Sequence, residues 1–179
     1  MKIKNLNYSK EKKMIYVYVG VMGSGKDFRA VEQMKTSPSE KKIKIGFADA
    51  VREFAWKILG WEPITDSEYI NFKNDSEITL KIHDREIISL TGRLFLQRIG
   101  TDAVRSRYPR FWIDIAKQRI EELSKEGYDI FITDCRFDNE LDMLKELDDV
   151  QIMFCDYKSE YYGWCCEHES EEMAHRFIK

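Results

Sequence analysis

The sequence predicts an α/β fold, with a central, mainly parallel sheet covered by helices on both faces. Three observations carry this. Short runs that are apolar nearly throughout recur along the chain, as strands buried on both faces require. Helically patterned segments lie between them. A glycine-bearing turn joins the first such run directly to the first helix.

Taken in order, residues 1–13 are polar and lysine-rich and read as a loose arm. Residues 14–20, Met-Ile-Tyr-Val-Tyr-Val-Gly, form the first strand, and residues 28–34 continue as helix. Residues 42–47 are a second strand. Residues 48–59 are a helix whose inner face is Val51, Phe54, Ala55 and Ile58. Residues 61–77 are polar, acidic and weakly patterned, and read as a loop or insertion. Residues 78–89 fit helix or strand equally. Residues 91–105 and 109–125 read as helices, the second with Pro109 at a favoured opening position. After Gly127 comes a third strand over 128–133, a helix over 139–147 and a fourth strand over 150–155. No internal repeat interrupts the pattern, so one domain is expected over residues 1–179, with residues 61–112 as a helical substrate and lid region.

Composition narrows the function classes. With 43% apolar and 13% aromatic residues the chain is not disordered, and nine Gly with three Pro exclude collagen-like sequence. The 29 basic residues nearly balance 32 acidic ones, so a general nucleic-acid binder is not expected; small anionic ligands remain open. No apolar run approaches a membrane span, and the basic N-terminus lacks the apolar core of a secretory signal. Cys135, Cys155, Cys165 and Cys166 are not spaced as a disulfide framework. A reduced, soluble, cytoplasmic protein is expected.

The strongest motif is Gly20-Val-Met-Gly-Ser-Gly-Lys26-Asp27, a Gly-x4-Gly-Lys pattern between a predicted strand and a predicted helix. Glycines let backbone N–H groups curl around phosphate oxygens, the helix N-terminus adds positive potential, and Lys26 reaches the β- and γ-phosphates. Asp27 stands where Ser or Thr usually ligates magnesium. It could hold the metal directly or through water, but it also brings negative charge near the phosphates. An ordinary glycine turn is the plain alternative.

Transfer between two anions needs a second basic set for the acceptor. Residues 91–110 supply it, with Arg93, Arg98, Arg105, Arg107 and Arg110 against one acid, Asp102. Arg52 lies one turn into the helix after the second strand, near the sheet edge where such folds bind ligands. Asp134 and Arg136 follow the third strand. Asp134 suits magnesium or a sugar hydroxyl and Arg136 a phosphate, unless the pair merely caps the next helix. Cys165, Cys166, His168 and His175 lack zinc spacing.

Together these motifs resemble the deoxynucleoside monophosphate kinases of large bacteriophages, relatives of the P-loop nucleoside monophosphate kinases. The matching stretches, in the family's order, are the Gly20–Asp27 loop, Phe47-Ala-Asp-Ala-Val-Arg-Glu53, Arg93-Leu-Phe-Leu-Gln-Arg-Ile-Gly-Thr-Asp102, Phe111-Trp112, Gly127-Tyr-Asp, Asp134-Cys-Arg-Phe-Asp-Asn-Glu140 and His168-Glu-Ser-Glu171. The Ser-Gly-Lys-Asp form of the loop is typical of that group. Two departures stand out: Arg52 replaces a more common lysine, and the sequence ends soon after Glu171, where relatives continue with a strand and helix.

The resemblance implies a P-loop NTPase fold of three α/β/α layers. It puts Gly23, Ser24, Gly25, Lys26, Asp27 and Phe28 on the triphosphate donor. Arg52, Arg93, Gly100, Thr101, Trp112, Asp134, Arg136, Glu140 and Ser170 fall around the acceptor nucleotide or the closing lid. Lys26, Arg93, Asp134 and Arg136 are the catalytic candidates and Asp27 the magnesium candidate. The expected reaction moves the γ-phosphoryl of ATP, with magnesium, to a deoxynucleoside monophosphate; the acceptor phosphate attacks in line and no protein nucleophile is needed. Kinases of dephospho-coenzyme A or phosphomevalonate type, and a non-catalytic nucleotide-binding module, are the alternatives. No nucleic-acid or membrane partner is expected, and a homodimer is the candidate assembly.

Overall fold

The computed structural model describes residues 13–75, 77–82, 85–155, 173 and 176, so all of the expected arm except Lys13 lies outside the described residues. In chain order come β1 (Ile15–Val19), α1 (Lys26–Thr36), β2 (Lys42–Ile45), α2 (Ala48–Leu59), α3 (Asp66–Asp75), β3 (Glu77–Ile82) and β4 (Arg85–Thr91). They are followed by α4 (Gly92–Gln97), a π-helical segment (Arg98–Arg105), α5 (Phe111–Lys125), β5 (Asp129–Ile132), α6 (Asp138–Lys145) and β6 (Val150–Phe154). Contacts gather these elements into two units, one from residues up to Gly46 and from Lys117 onward, the other from Phe47–Ala116.

In the first unit β1 pairs in parallel with β5 and β6, and β5 with β2, which gives the order β2-β5-β1-β6. Val17 lies opposite both Ile132 and Ile152. Every residue of β1 and β5 is buried. Successive strand side chains point to opposite faces, so both faces of these central strands are covered. On one of them Tyr16, Tyr18 and Phe131 pack with Ala30 of α1 and with Cys155. The Tyr16 and Phe131 rings stack at 4.9 Å. The predicted parallel α/β architecture is therefore present.

A buried carboxylate fixes the lower rim of this sheet. Asp129 accepts hydrogen bonds from the Met14 N–H at 3.1 Å and the Ser37 hydroxyl at 2.6 Å, tying the starts of β1 and β5 to the end of α1. Cys135 and Cys155 are free thiols; the other two cysteines, His168 and His175 lie outside the described residues.

In the second unit β3 and β4 form an antiparallel hairpin. Ala55, Phe72, Ile78, Leu90 and Phe95 make its core, with Trp56, Leu59 and Tyr69 packed against them. Here the structure departs from the sequence reading in three places and decides one that was open. Residues 66–75 are helical rather than loop. The ambiguous stretch is the hairpin. Phe54 and Ile58, expected on the inner face of α2, are 46% and 50% exposed, because Ala55, Trp56 and Leu59 face the core instead. The helix expected over residues 91–105 changes at Arg98 to wider turns, with the Ser106 N–H reaching the Thr101 carbonyl five residues back. Among the described residues no helix is long and apolar enough to cross a membrane.

Candidate active site

The loop between β1 and α1 curls because Gly23 and Gly25 adopt left-handed backbone angles, φ 80° and 78°, which side-chain-bearing residues rarely take. Gly25 is the N-cap of α1 and brings no side chain to cap it. The Arg29 N–H is the first to return to the Gly25 carbonyl. The N–H groups of Asp27 and Phe28 therefore have no acceptor among the described residues, and helix geometry aims them off the end of α1. Ser24 is fully buried, and its Oγ has no hydrogen-bond partner among the described residues. Lys26 is buried, with its ammonium donating to the Val21 carbonyl at 3.0 Å, so its charge is folded back along the loop. Phe28 is 70% exposed beside it.

Asp27 is held from two strands. Its Oδ1 accepts from Lys44 Nζ of β2 at 2.5 Å and from Thr133 Oγ1, just past β5, at 2.8 Å. Burial pushes its carboxyl up, but the hydrogen bonds of Lys44 and Thr133, and then the charges of Lys44 and Lys26, outweigh that and hold it below the usual range. Asp27 is thus an anion whose Oδ2 accepts no hydrogen bond among the described residues. No group of three or more His, Cys, Asp or Glu that could hold a metal occurs among those residues. Magnesium on nucleotide phosphates needs only one or two carboxylates and keeps its waters, so the ionised Asp27 fits that ion.

The carboxyl end of β5 carries the next candidates in the same unit. The Asp134 carboxylate lies against Gly46, where any Cβ would collide with it. Glu140 is buried, and its Oε2 accepts from the N–H groups of Arg136 at 2.8 Å and Phe137 at 3.2 Å. It caps α6 and fixes the backbone of Arg136.

Arg52, Arg93, Gly100, Thr101 and Trp112 belong to the second unit. Arg52 pairs with Asp49, and its guanidinium lies 5.5 Å from the Tyr69 ring centre with a 3.5 Å bond to the Tyr69 hydroxyl. Arg93 is exposed and donates to Asn74 Oδ1 at 3.2 Å. Both arginines thus lean on α3. Trp112 is 3% exposed, and its indole N–H donates to the Gly100 carbonyl at 2.9 Å. It braces the backbone of the π-helical segment, next to Thr101. Ser170 lies outside the described residues.

Lys44, Thr133, Tyr69 and Asn74 were not picked out from sequence. The Lys-Ile-Lys-Ile alternation of β2 already puts Lys42 and Lys44 on one face, and Thr133 directly precedes Asp134. Tyr69 and Asn74 were hidden in the segment read as loop.

A known protein family spans most of the chain. The model described as deoxynucleotide monophosphate kinase matches residues 10–171. No curated protein sequence matches the chain. The family match runs from before β1 through the glycine loop and the arginine-rich segment to the His168-Glu-Ser-Glu171 stretch, and the chain belongs to the deoxynucleotide monophosphate kinase family.

Proposed function

We propose that the chain transfers the γ-phosphoryl group of ATP to a deoxynucleoside 5′-monophosphate, giving ADP and the deoxynucleoside diphosphate, with magnesium as cofactor. The observation that carries the donor half is the loop before α1, where left-handed glycines leave the Asp27 and Phe28 N–H groups open beside Lys26. In this reading Gly23, Ser24, Gly25 and Phe28 surround the triphosphate. Lys26 leaves the Val21 carbonyl to meet the β- and γ-phosphates. Magnesium, when bound, neutralises charge on those phosphates, and Asp27 is the residue that would hold it.

Arg52 and Arg93 clamp the acceptor phosphate, aimed by the bonds they make to α3. Arg136, its backbone fixed by Glu140, adds a cation at the end of β5, and Asp134 accepts from a sugar hydroxyl or a metal-bound water. Gly100 and Thr101, braced by Trp112, line the acceptor, and residues 61–112 form the substrate and lid region. Attack is in line, and the protein contributes positioning and charge.

A coupled assay of ADP release with a panel of deoxynucleoside and ribonucleoside monophosphates tests this reading. Deoxynucleotide-dependent turnover is expected. Lys26→Met should lower it ~100-fold or more with the fold intact. Release that is independent of any nucleoside monophosphate, or full activity in folded Lys26→Met, would overturn it.

A further inference from the structure

Asp27 poses an electrostatic problem. It sets an anion in the first turn of α1, beside the phosphates that the loop is read to hold. Resting on that donor-loop reading, we propose that Lys44 is the countercharge of Asp27, a positioning residue that lets an acid-bearing loop accept a polyanion.

The geometry is specific. β2 alternates Lys and Ile, so Lys42 and Lys44 project from one face. Lys42 Nζ reaches the Met34 carbonyl near the end of α1, at 2.8 Å. Lys44, two residues on, reaches Asp27 in the first turn of the same helix, at 2.5 Å. Thr133 donates to the same Oδ1. Both partners therefore grip one carboxylate oxygen and leave Oδ2 open, while the pair's net charge is zero. The positive potential of the helix end and of Lys26 is then not cancelled by Asp27. A purely structural role explains little, because the Lys44 and Asp27 side chains are 43% and 62% exposed and such exposed pairs contribute little to folding stability.

Calorimetric titration with ATP in the presence of a chelator, at low ionic strength, isolates the effect because no metal can substitute for the lysine. Lys44→Met should bind metal-free ATP about tenfold more weakly than the parent, equivalent to ~1.4 kcal/mol. Lys44→Arg should retain binding. Asp27→Asn combined with Lys44→Met should return affinity to the parental level, since the acid that needed neutralising is gone. The Lys44→Met deficit should shrink in high salt and when magnesium is added, and its thermal unfolding should match the parent's.

Unchanged affinity in Lys44→Met overturns the proposal. So does a double variant as weak as Lys44→Met, which would place Lys44 on the phosphate itself. Lys26→Met checks the underlying reading separately. If it binds ATP as the parent does, the donor-loop assignment falls whatever Lys44 does.

Discussion

The hydroxyl of Tyr18 is buried in β1 with no hydrogen-bond partner among the described residues, two residues before the phosphate loop begins. Burial, followed by the nearby Cys155 and Tyr16, pushes its phenol from the ordinary 10 up to about 12. The folded state therefore favours the protonated form. Its contribution to stability is complete below pH 10 and is lost as pH rises toward 12, because the unfolded chain releases the proton first. Tyr18→Phe removes a polar atom that nothing satisfies, and should raise stability by about 1 kcal/mol at neutral pH. It should also flatten the alkaline loss. Urea unfolding at pH 7 and again near pH 11 reads both effects; a destabilised Phe variant at pH 7 would mean the hydroxyl has a partner in solution. Cys135 is the contrasting case. It lies between Asp134 and Arg136, yet burial and then the charges of Glu140 and Asp134 push its thiol far up, which disfavours the thiolate.

At the scale of elements, α3 is the instructive one. Its interior offers a single buried apolar residue, Phe72, so no 3.6-residue stripe marks it. What starts the helix is its N-terminus. The Glu68 carboxylate accepts from the N–H groups of Ile64 and Thr65, and the Thr65 hydroxyl accepts from the Glu68 N–H. That reciprocal pair is a capping box, and Thr65-Asp-Ser-Glu68 was legible as one. The same backbone bonds hold the Glu68 carboxyl below its usual range. Glu68→Ala should loosen the first turn of α3. Because Tyr69 follows directly and Asn74 lies in the last turn of the same helix, the predicted kinetic signature is a raised KM for the deoxynucleotide with KM for ATP unchanged. Equal rises in both would separate α3 from the acceptor arginines.

The central strand β1 and the loop were readable for the opposite reason: a continuous apolar run and a glycine pattern state their role locally. The hairpin β3–β4 was not, since its pairing partner, not its composition, decides between helix and strand. Nor could spacing reveal that Phe54 and Ile58 face outward, because five of the six positions 54–59 in α2 are apolar, which offers two apolar faces, and only packing chooses. Among candidate residues, sequence singled out Glu140 and Trp112 but not what they hold. Their engagement with the backbone of Arg136 and Gly100 depends on burial, which a sequence does not state.

For the molecule as a whole, the donor candidates and most acceptor candidates fall in different units. Arg98 and Arg107 of the arginine-rich stretch are exposed, with no ion pair among the described residues. Such like charges repel until phosphates neutralise them. A bisubstrate dinucleotide should therefore protect residues 91–112 from hydrogen exchange beyond the protection it gives the phosphate loop. An unchanged pattern there, with new protection confined to the loop, would assign these arginines to a pre-formed surface.

The position of β2 has one more consequence. It is an outer strand of the described sheet, so one side of its backbone is a row of N–H and C=O groups that another chain could pair with. Lys41 and Lys42 set positive charge beside this rim, and an incoming strand from a second copy would bring the same two lysines against it. Like charges meeting across that rim oppose edge-to-edge pairing, so the lysine-rich start of β2 disfavours strand addition by a second copy.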